Sequence, residues 1–141
     1  MKKVIVDTSV IVKWLNQEDE KGVDKAEEIL ADSQSGEIEL LVPELAKYEV
    51  GNVLLIRKKL TLFQIEETLS FLYALPIQFI THSLELAKST YEIAQAAQIT
   101  YYDASFVALA KREKALLVTD NPKHQSRQVD IDVKVIPLKD Y

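Results

Sequence analysis

Four acidic side chains of this sequence occupy positions where a carboxylate contributes little to folding. Asp7 directly follows the apolar run 4–6, and Asp120 follows the apolar run 115–118 and Thr119. Glu49 and Asp103 are in register with the apolar stripes of two helical patterns instead of their polar faces. Burying an unpaired charge costs several kcal/mol, so acids in such places need a counter-charge. We interpret the four as candidate metal ligands.

Like charges that converge raise one another's pKa, and a divalent cation relieves that repulsion. The chain has no cysteine and only two histidines, so a metal here must be held by oxygen. Oxygen ligands favour Mg²⁺ or Mn²⁺. Such ions activate water and stabilise the charge that develops during attack on a phosphodiester. Neighbouring polar side chains are candidates to orient the carboxylates by hydrogen bonds: Thr8, Ser9, Thr119 and Asn121.

Short apolar runs alternate with helical patterns along the chain. The predicted strands are 3–6, 40–42, 77–80, 115–118 and 133–136, and the predicted helices are 10–15, 23–31, 43–60, 61–75, 84–97 and one opened by Asp103. This alternation predicts an α/β protein, a three-layer sandwich with a mainly parallel central sheet of four to five strands. Ligand sites in such sheets lie beyond the carboxyl ends of the strands, where Asp7 and Asp120 fall.

Helix signals complete this prediction. Thr8 or Ser9 is expected to cap the first helix, and Thr81 or Ser83 the helix 84–97. Pro43 suits the first turn of the helix 43–60. That helix is expected to face inward with the stripe Leu45, Ala46, Glu49, Val53 and Ile56, and the next with Leu62, Ile65, Leu69 and Leu72.

Length and composition limit the class of protein. The 141 residues suit a single domain, 1–141, and contain 48% hydrophobic and 28% charged residues, which is typical of a globular chain. The formal net charge of −5 does not indicate binding to nucleic acid through overall charge. Asp7 and Lys13 interrupt the first apolar run too early for a signal peptide, and no run approaches membrane-spanning length. We therefore expect a cytoplasmic protein.

Aromatic side chains such as Tyr48 fall mainly on helical faces and are expected in core or dimer packing.

The ordered segments of the chain resemble those of PIN-domain ribonucleases, and most closely the VapC-type toxins of prokaryotic toxin–antitoxin pairs. The matching segments are 4–9 (Val-Ile-Val-Asp-Thr-Ser), 43–45 (Pro-Glu-Leu), 49–54 (Glu-Val-Gly-Asn-Val-Leu), 102–105 (Tyr-Asp-Ala-Ser), 108–110 (Ala-Leu-Ala) and 117–121 (Leu-Val-Thr-Asp-Asn). The resemblance implies a PIN-like fold and a metal-dependent endoribonuclease. Its metal-binding acids would be Asp7, Glu49 and Asp103, with Asp120 as the fourth.

The resemblance also raises a question about the fourth acid and implies partners. Many relatives place that acid two residues after the threonine, where this chain has Asn121, whereas Asp120 is one residue after it. A homodimer and a cognate antitoxin are implied, and the helices 10–15 and 61–75 carry enough apolar surface for such interfaces. Lys123, His124 and Arg127 follow the fourth acid and are candidates for contacts with RNA phosphates; a solvated loop is the alternative.

Simpler roles compete with metal binding at each acid. Asp7 could cap a helix, Glu49 could form a salt bridge, Asp103 could interact with a helix dipole, and Asp120 could be a turn residue. A phosphatase of the haloacid-dehalogenase type also follows its first strand with Asp, but Ser9 stands where that chemistry needs a second Asp. A PIN-fold RNA-processing nuclease without an antitoxin and a non-catalytic PIN-like partner-binding domain are two further candidate functions.

Overall fold

Five short strands form a parallel sheet in the computed structural model, which describes residues 1–122 and 132–141. The strands are β1 (Lys2–Val6), β2 (Ile38–Pro43), β3 (Gln78–Ile80), β4 (Leu116–Thr119) and β5 (Val135–Pro137). Their order is β3-β2-β1-β4-β5, and every neighbouring pair is parallel. The predicted parallel sheet is therefore confirmed.

Helices flank this sheet. They are α1 (Thr8–Leu15), α2 (Val23–Gln34), α3 (Leu45–Asn52), α4 (Leu62–Ala74), α5 (Leu84–Ala97) and α6 (Tyr101–Glu113). A π-helical turn, Val53–Arg57, continues α3, and a 3-10 turn, Leu138–Asp140, follows β5. Helix α6 contacts β1, β2 and β4 and packs along α5, whereas α1 contacts α2, α3 and α4. The predicted α/β class is confirmed.

The strand order reverses at β1, and this reversal positions the acids. The chain runs outward from β1 to β2 and β3, then returns to place β4 on the other side of β1. The side chains of Val4, Ile5 and Val6 are fully buried, as expected for a central strand covered on both faces. In open α/β sheets such a reversal leaves a crevice at the carboxyl ends of the two strands. Asp7 follows β1 and Asp120 follows β4, so both acids lie at this crevice.

The segment around α3 differs from the prediction in two respects. Pro43 belongs to β2 and pairs with Ile80, because β3 extends the ladder up to this residue and a proline tolerates a strand end. The expected stripe is also wrong at its end, since Ile56 is exposed and the buried positions are Ala46, Val50 and Leu54. These residues follow a four-residue spacing, which leaves Glu49 half-buried at the border of the stripe.

Helix caps agree with the prediction only in part. Ser83 caps α5, and Thr61 caps α4 in a reciprocal arrangement with Gln64. The first helix is different, because Asp7 is its N-cap and neither Thr8 nor Ser9 takes that place. The carboxylate of Asp7 accepts from the Ser9 N–H at 3.1 Å, so the capping role is correct for this acid.

The two helices predicted to carry interfaces differ sharply in exposure. Residues 10–14 of α1 are all buried within the chain, so α1 offers little surface for a partner. On α4 only Leu72 is buried, whereas Leu62 and Phe63 are 89% and 88% exposed. The predicted inward positions of Leu62 and Leu69 are wrong, since both side chains are exposed and no described element covers them. Among the described residues, no helix has the length and apolar character needed to cross a membrane.

Candidate metal centre

Hydroxyl groups from the first turn of α1 and from the end of β4 hold the carboxylate of Asp7. The Ser9 hydroxyl donates a hydrogen bond to Oδ1, and the Thr119 hydroxyl donates another to Oδ2. The Thr119 hydroxyl also accepts from the Asn121 N–H at 2.9 Å. Asp7 itself is 8% exposed. Ser9 and Thr119 therefore hydrogen-bond to the carboxylate of Asp7, and Asn121 contributes through its backbone. That these contacts orient a metal ligand stays a prediction.

Glu49 projects from α3 toward the same turn. The Thr8 hydroxyl donates to Oε1 of Glu49 at 2.7 Å, which ties α3 to the residue after Asp7. Burial raises the pKa of Glu49, the Thr8 hydrogen bond opposes this, and the negative charges of Asp103 and Asp7 raise the pKa further. Because the charges of Asp103 and Asp7 both raise the pKa of Glu49, the three carboxylates interact electrostatically.

Asp103 lies in the first turn of α6, where the sequence predicted it. Thr100 caps this helix by accepting the Asp103 N–H at 3.0 Å. The two residues that follow, Ala104 and Ser105, are buried, whereas Asp103 is half-buried at the border of the core. A carboxylate in the first turn also interacts favourably with the helix dipole, so the simpler role applies to Asp103 as well.

The donor atoms suit a hard divalent cation. Asp7, Glu49 and Asp103 offer only carboxylate oxygens, which Mg²⁺ and Mn²⁺ prefer. Hydroxyl donors orient two of the three, as ligand-supporting groups do at metal sites. Within residues 1–122 and 132–141, however, no group of three or more Asp, Glu or His side chains is arranged to hold a metal ion. The chemistry of the donors fits the metal, and their present geometry is not that of a closed coordination shell.

Asp120 has a different environment from the other three acids. Its N–H donates to the Ser9 hydroxyl at 3.2 Å, which joins it to the Asp7 corner. Its carboxylate oxygen Oδ2 lies 2.6 Å from Nζ of Lys13. The Asp120 side chain is 41% exposed, whereas that of Lys13 is only 2% exposed. The carboxylate of Asp120 thus forms an ion pair with a buried lysine.

Lys13 is the residue of this region that sequence reasoning missed. It also contacts Oε1 of Glu20 at 3.1 Å, and Glu20 in turn binds Lys58 at 2.8 Å and Arg57 at 3.1 Å. A lone cation inside the apolar run of α1, between Val12 and Trp14, was the available signal. Its partners could not be inferred, because neither is a helical neighbour of Lys13.

An aromatic cleft of about 200 Å³ opens at the start of α6. Its wall includes Tyr48, which is 77% exposed, and Tyr102, which is 58% exposed and precedes Asp103. Tyr48 is therefore not a core residue, and its packing at a dimer interface stays a prediction. The predicted contacts with RNA phosphates, Lys123, His124 and Arg127, lie outside the described residues.

The protein is thus a parallel α/β protein with acids at the carboxyl ends of the two strands where the strand order reverses. Residues 4–129 match the PIN domain family. The chain therefore belongs to the PIN-domain family. No curated protein sequence matches it.

Solved structures with the same fold are similar over nearly their whole length. A chain of VapBC2 from Rickettsia felis bound to a DNA fragment from its promoter has a TM-score of 0.71 at 15% identity, covering 96% of this chain and 98% of that one. A chain of FitAcB from Neisseria gonorrhoeae has a TM-score of 0.70 at 18% identity, covering 98% and 99%. A chain of a toxin–antitoxin complex from Klebsiella pneumoniae gives 0.66 at 18%, covering 92% and 94%. At these identities the likeness establishes the fold.

Proposed function

We propose that the protein is a metal-dependent endoribonuclease that hydrolyses RNA phosphodiester bonds and is the toxin of a type II toxin–antitoxin pair in the cytoplasm. The observation that carries this proposal is the 2.7 Å contact between Thr8 and Glu49, which draws the acid of α3 to the turn that bears Asp7. Membership of the PIN-domain family supports it. Toxin–antitoxin complexes among the structures of the same fold support the choice of a toxin.

The acids have separate tasks in this proposal. Asp7, Glu49 and Asp103 would hold the cation, and Asp120 would lie beside them at the carboxyl ends of the strands. A bound Mg²⁺ or Mn²⁺ supplies charge neutralisation and lowers the pKa of a coordinated water. Ser9 and Thr119 keep Asp7 in place by hydrogen bonds, and Thr8 does the same for Glu49.

The RNA would approach across the aromatic cleft. Unstacked bases of single-stranded RNA bind to exposed aromatic rings, and stacking tolerates any base. Tyr48 and Tyr102 are exposed rings at the wall of that cleft, and Tyr102 is adjacent to Asp103 in the chain. Lys123, His124 and Arg127 remain predicted contacts for the phosphates.

Two further partners belong to the proposal. The sequence leaves the apolar surface of α4 open to either predicted interface. We assign this surface, with Leu62 and Phe63 as its most exposed residues, to the cognate antitoxin. A homodimer is the other predicted assembly. The alternative, a PIN-fold nuclease without an antitoxin, has the same predicted catalytic residues but predicts that no antitoxin binds to the α4 surface.

The decisive experiment compares RNA cleavage by the wild type with that by Asp7→Asn and Asp103→Asn in Mn²⁺ and in EDTA. We expect Mn²⁺-dependent cleavage by the wild type and none by either variant, with circular dichroism spectra unchanged. Cleavage that survives in both variants from a nuclease-free preparation would rule out this mechanism. A wild type that folds, as the variants do, but cleaves no RNA would favour the non-catalytic PIN-like domain.

A further inference from the structure

Lys13 presents a charge in a part of α1 that is otherwise apolar and buried. Its side chain is among the largest fully buried ones of the described chain. A buried ammonium without partners costs several kcal/mol, so Lys13 depends on the carboxylates that it contacts. These are Asp120, at 2.6 Å, and Glu20, at 3.1 Å.

Charge balance decides how strongly Asp120 is held. Glu20 is shared by Lys13, Lys58 and Arg57, so this cluster joins three cations to Glu20 and Asp120, two anions. Without Asp120, the single carboxylate of Glu20 would have to balance two buried lysines, Lys13 and Lys58, besides the exposed Arg57. The excess positive charge therefore makes the Asp120–Lys13 ion pair stronger than it would be in a cluster whose charges already balanced.

The backbone of Asp120 serves the acidic site at the same time. Its N–H donates to the Ser9 hydroxyl, and that hydroxyl donates to Oδ1 of Asp7. Asp120 thus has two contacts that point in different directions. The backbone supports the carboxylate of Asp7, while the side chain is directed to Lys13.

We propose that Lys13 is a positioning residue, a built-in cation that keeps the carboxylate of Asp120 out of the metal coordination shell. This inference rests on the proposed metal-dependent function and assigns the ligands within it. Asp7, Glu49 and Asp103 bind the metal directly, and Asp120 acts through Ser9. The ion pair with Lys13 also accounts for an acid one residue after Thr119, because that position is paired with α1.

Loss of the Lys13 charge should strengthen metal binding instead of weakening it. Replacing Lys13 by methionine removes the charge and keeps a similar volume, so Asp120 becomes available as an additional ligand. Glu20 still binds Lys58 and Arg57, and the half-exposed Asp120 can be solvated, so we expect Lys13→Met to fold. General damage to the fold would weaken metal binding, whereas release of Asp120 strengthens it.

The test is isothermal titration of the purified full chain with Mn²⁺, for the wild type, Asp120→Asn, Lys13→Met and the double variant. We expect Asp120→Asn to change Kd by less than about threefold, and Lys13→Met to lower Kd about tenfold, which corresponds to about 1.4 kcal/mol. In the double variant the gain should disappear, because the released ligand is absent. Lys3→Met is the control, since it removes a cation from a pair with Glu113, 3.0 Å away, that includes no site residue.

Three results would overturn the proposal. The first is a loss of affinity in Asp120→Asn as large as that in Asp103→Asn, which would make Asp120 a ligand. The second is an unchanged Kd in Lys13→Met, and the third is a gain that persists in the double variant, which would reflect charge alone. If Lys13→Met does not fold, Asp120→Asn still shows whether Asp120 is a ligand, and a large loss of affinity there overturns the proposal. The proposed function fails separately, if Mn²⁺ does not bind the wild type or if RNA cleavage survives in both Asp7→Asn and Asp103→Asn.

Discussion

The Thr8 hydroxyl lies 2.7 Å from Oε1 of Glu49 and joins the turn after β1 to helix α3. This hydrogen bond fixes the carboxylate that burial and two neighbouring acids destabilise in its charged form. The contact therefore offers a direct test of how the acidic site is organised.

Thr8→Val removes the hydroxyl and keeps the shape of the side chain. We expect Mn²⁺ affinity and RNA cleavage to fall by roughly 10- to 100-fold, as at other sites where a ligand loses its orienting partner. Thr90→Val is the matched control, because the Thr90 hydroxyl donates within α5, to the Leu86 carbonyl at 2.6 Å. Isothermal titration and a cleavage assay measure both; equal losses in the two variants would contradict the assigned role of Thr8.

Metal binding should be visible as thermal stability. A ligand that binds only the folded state stabilises it by about 2.7 kcal/mol at 100 times its Kd, so saturating Mn²⁺ should raise Tm. Asp103→Asn should lose this rise, while its Tm in EDTA stays equal to or above that of the wild type, since one source of repulsion is gone. Scanning calorimetry with and without Mn²⁺ distinguishes the two effects. A variant that still gains stability from Mn²⁺ would remove Asp103 from the ligand set.

Glu20 should contribute strongly to stability, because three cations depend on it. Its side chain is 6% exposed, and removing one partner of a buried ion pair costs roughly 3 kcal/mol at the low end of observed values. Urea unfolding of Glu20→Gln measures this loss. Glu28→Gln is the control, since Glu28 pairs with Lys25 at the surface and exposed pairs contribute about 1 kcal/mol or less.

The contribution of Glu20 should also depend on pH. Burial acts to raise the pKa of Glu20, but hydrogen bonds and charges from Lys58 and Lys13 outweigh it and lower the pKa below the ordinary 4.5. A depressed carboxylate pKa stabilises the fold above its unfolded value and loses that effect as pH falls through the folded value. The difference in unfolding free energy between wild type and Glu20→Gln should be constant from neutral pH down to the unfolded pKa and shrink in stronger acid. A difference that grows on acidification would contradict this sign.

The exposed face of α4 can be tested with a matched pair of leucines. Leu62, on α4, is 89% exposed, and Leu84, at the start of α5, is 73% exposed. Leu62→Glu should abolish co-purification of a co-expressed antitoxin, because it places a charge on an apolar face. It should leave cleavage by the free protein unchanged, because none of the four acids lies on α4. Leu84→Glu should retain the antitoxin. The reverse pattern would move the interface to α5.

Tyr102→Ala and Tyr48→Ala test the aromatic cleft. Loss of a stacking ring costs about 1–3 kcal/mol per base, so each variant should bind single-stranded RNA more weakly. Fluorescence anisotropy measures the affinity, with a catalytically inactive background to prevent cleavage. Light scattering on the same samples shows whether the oligomeric state changes. A change of oligomeric state without a change of RNA affinity would identify the cleft as a subunit interface.

The sheet could be predicted from the sequence because each strand is a short, mainly apolar run that is followed by a polar residue or a proline. The four acids are candidate metal ligands for the same reason, because a carboxylate that follows such a run, or lies beside an apolar stripe, is unusual in a sequence. The end of β2 was misplaced, because pairing with Ile80 and not the helical preference of Pro43 sets that boundary. The pairing of Lys13 was out of reach, since it depends on the tertiary position of Glu20 and Asp120.

The hydrogen bonds at Asp7 also set the order in which the acidic corner can assemble. Its partner Thr119 is 112 positions away in the chain, and Ser9 and Asp120 are 111 positions apart. Contacts of such long range close large loops and form only after the intervening elements have been brought together. During synthesis, a growing chain already contains Asp7, Glu49 and Asp103 before Thr119 has been added. The Thr119 hydroxyl, which holds one of the two carboxylate oxygens of Asp7, is thus absent until β4 is made and docks beside β1. The nascent protein therefore acquires its complete corner at a late stage.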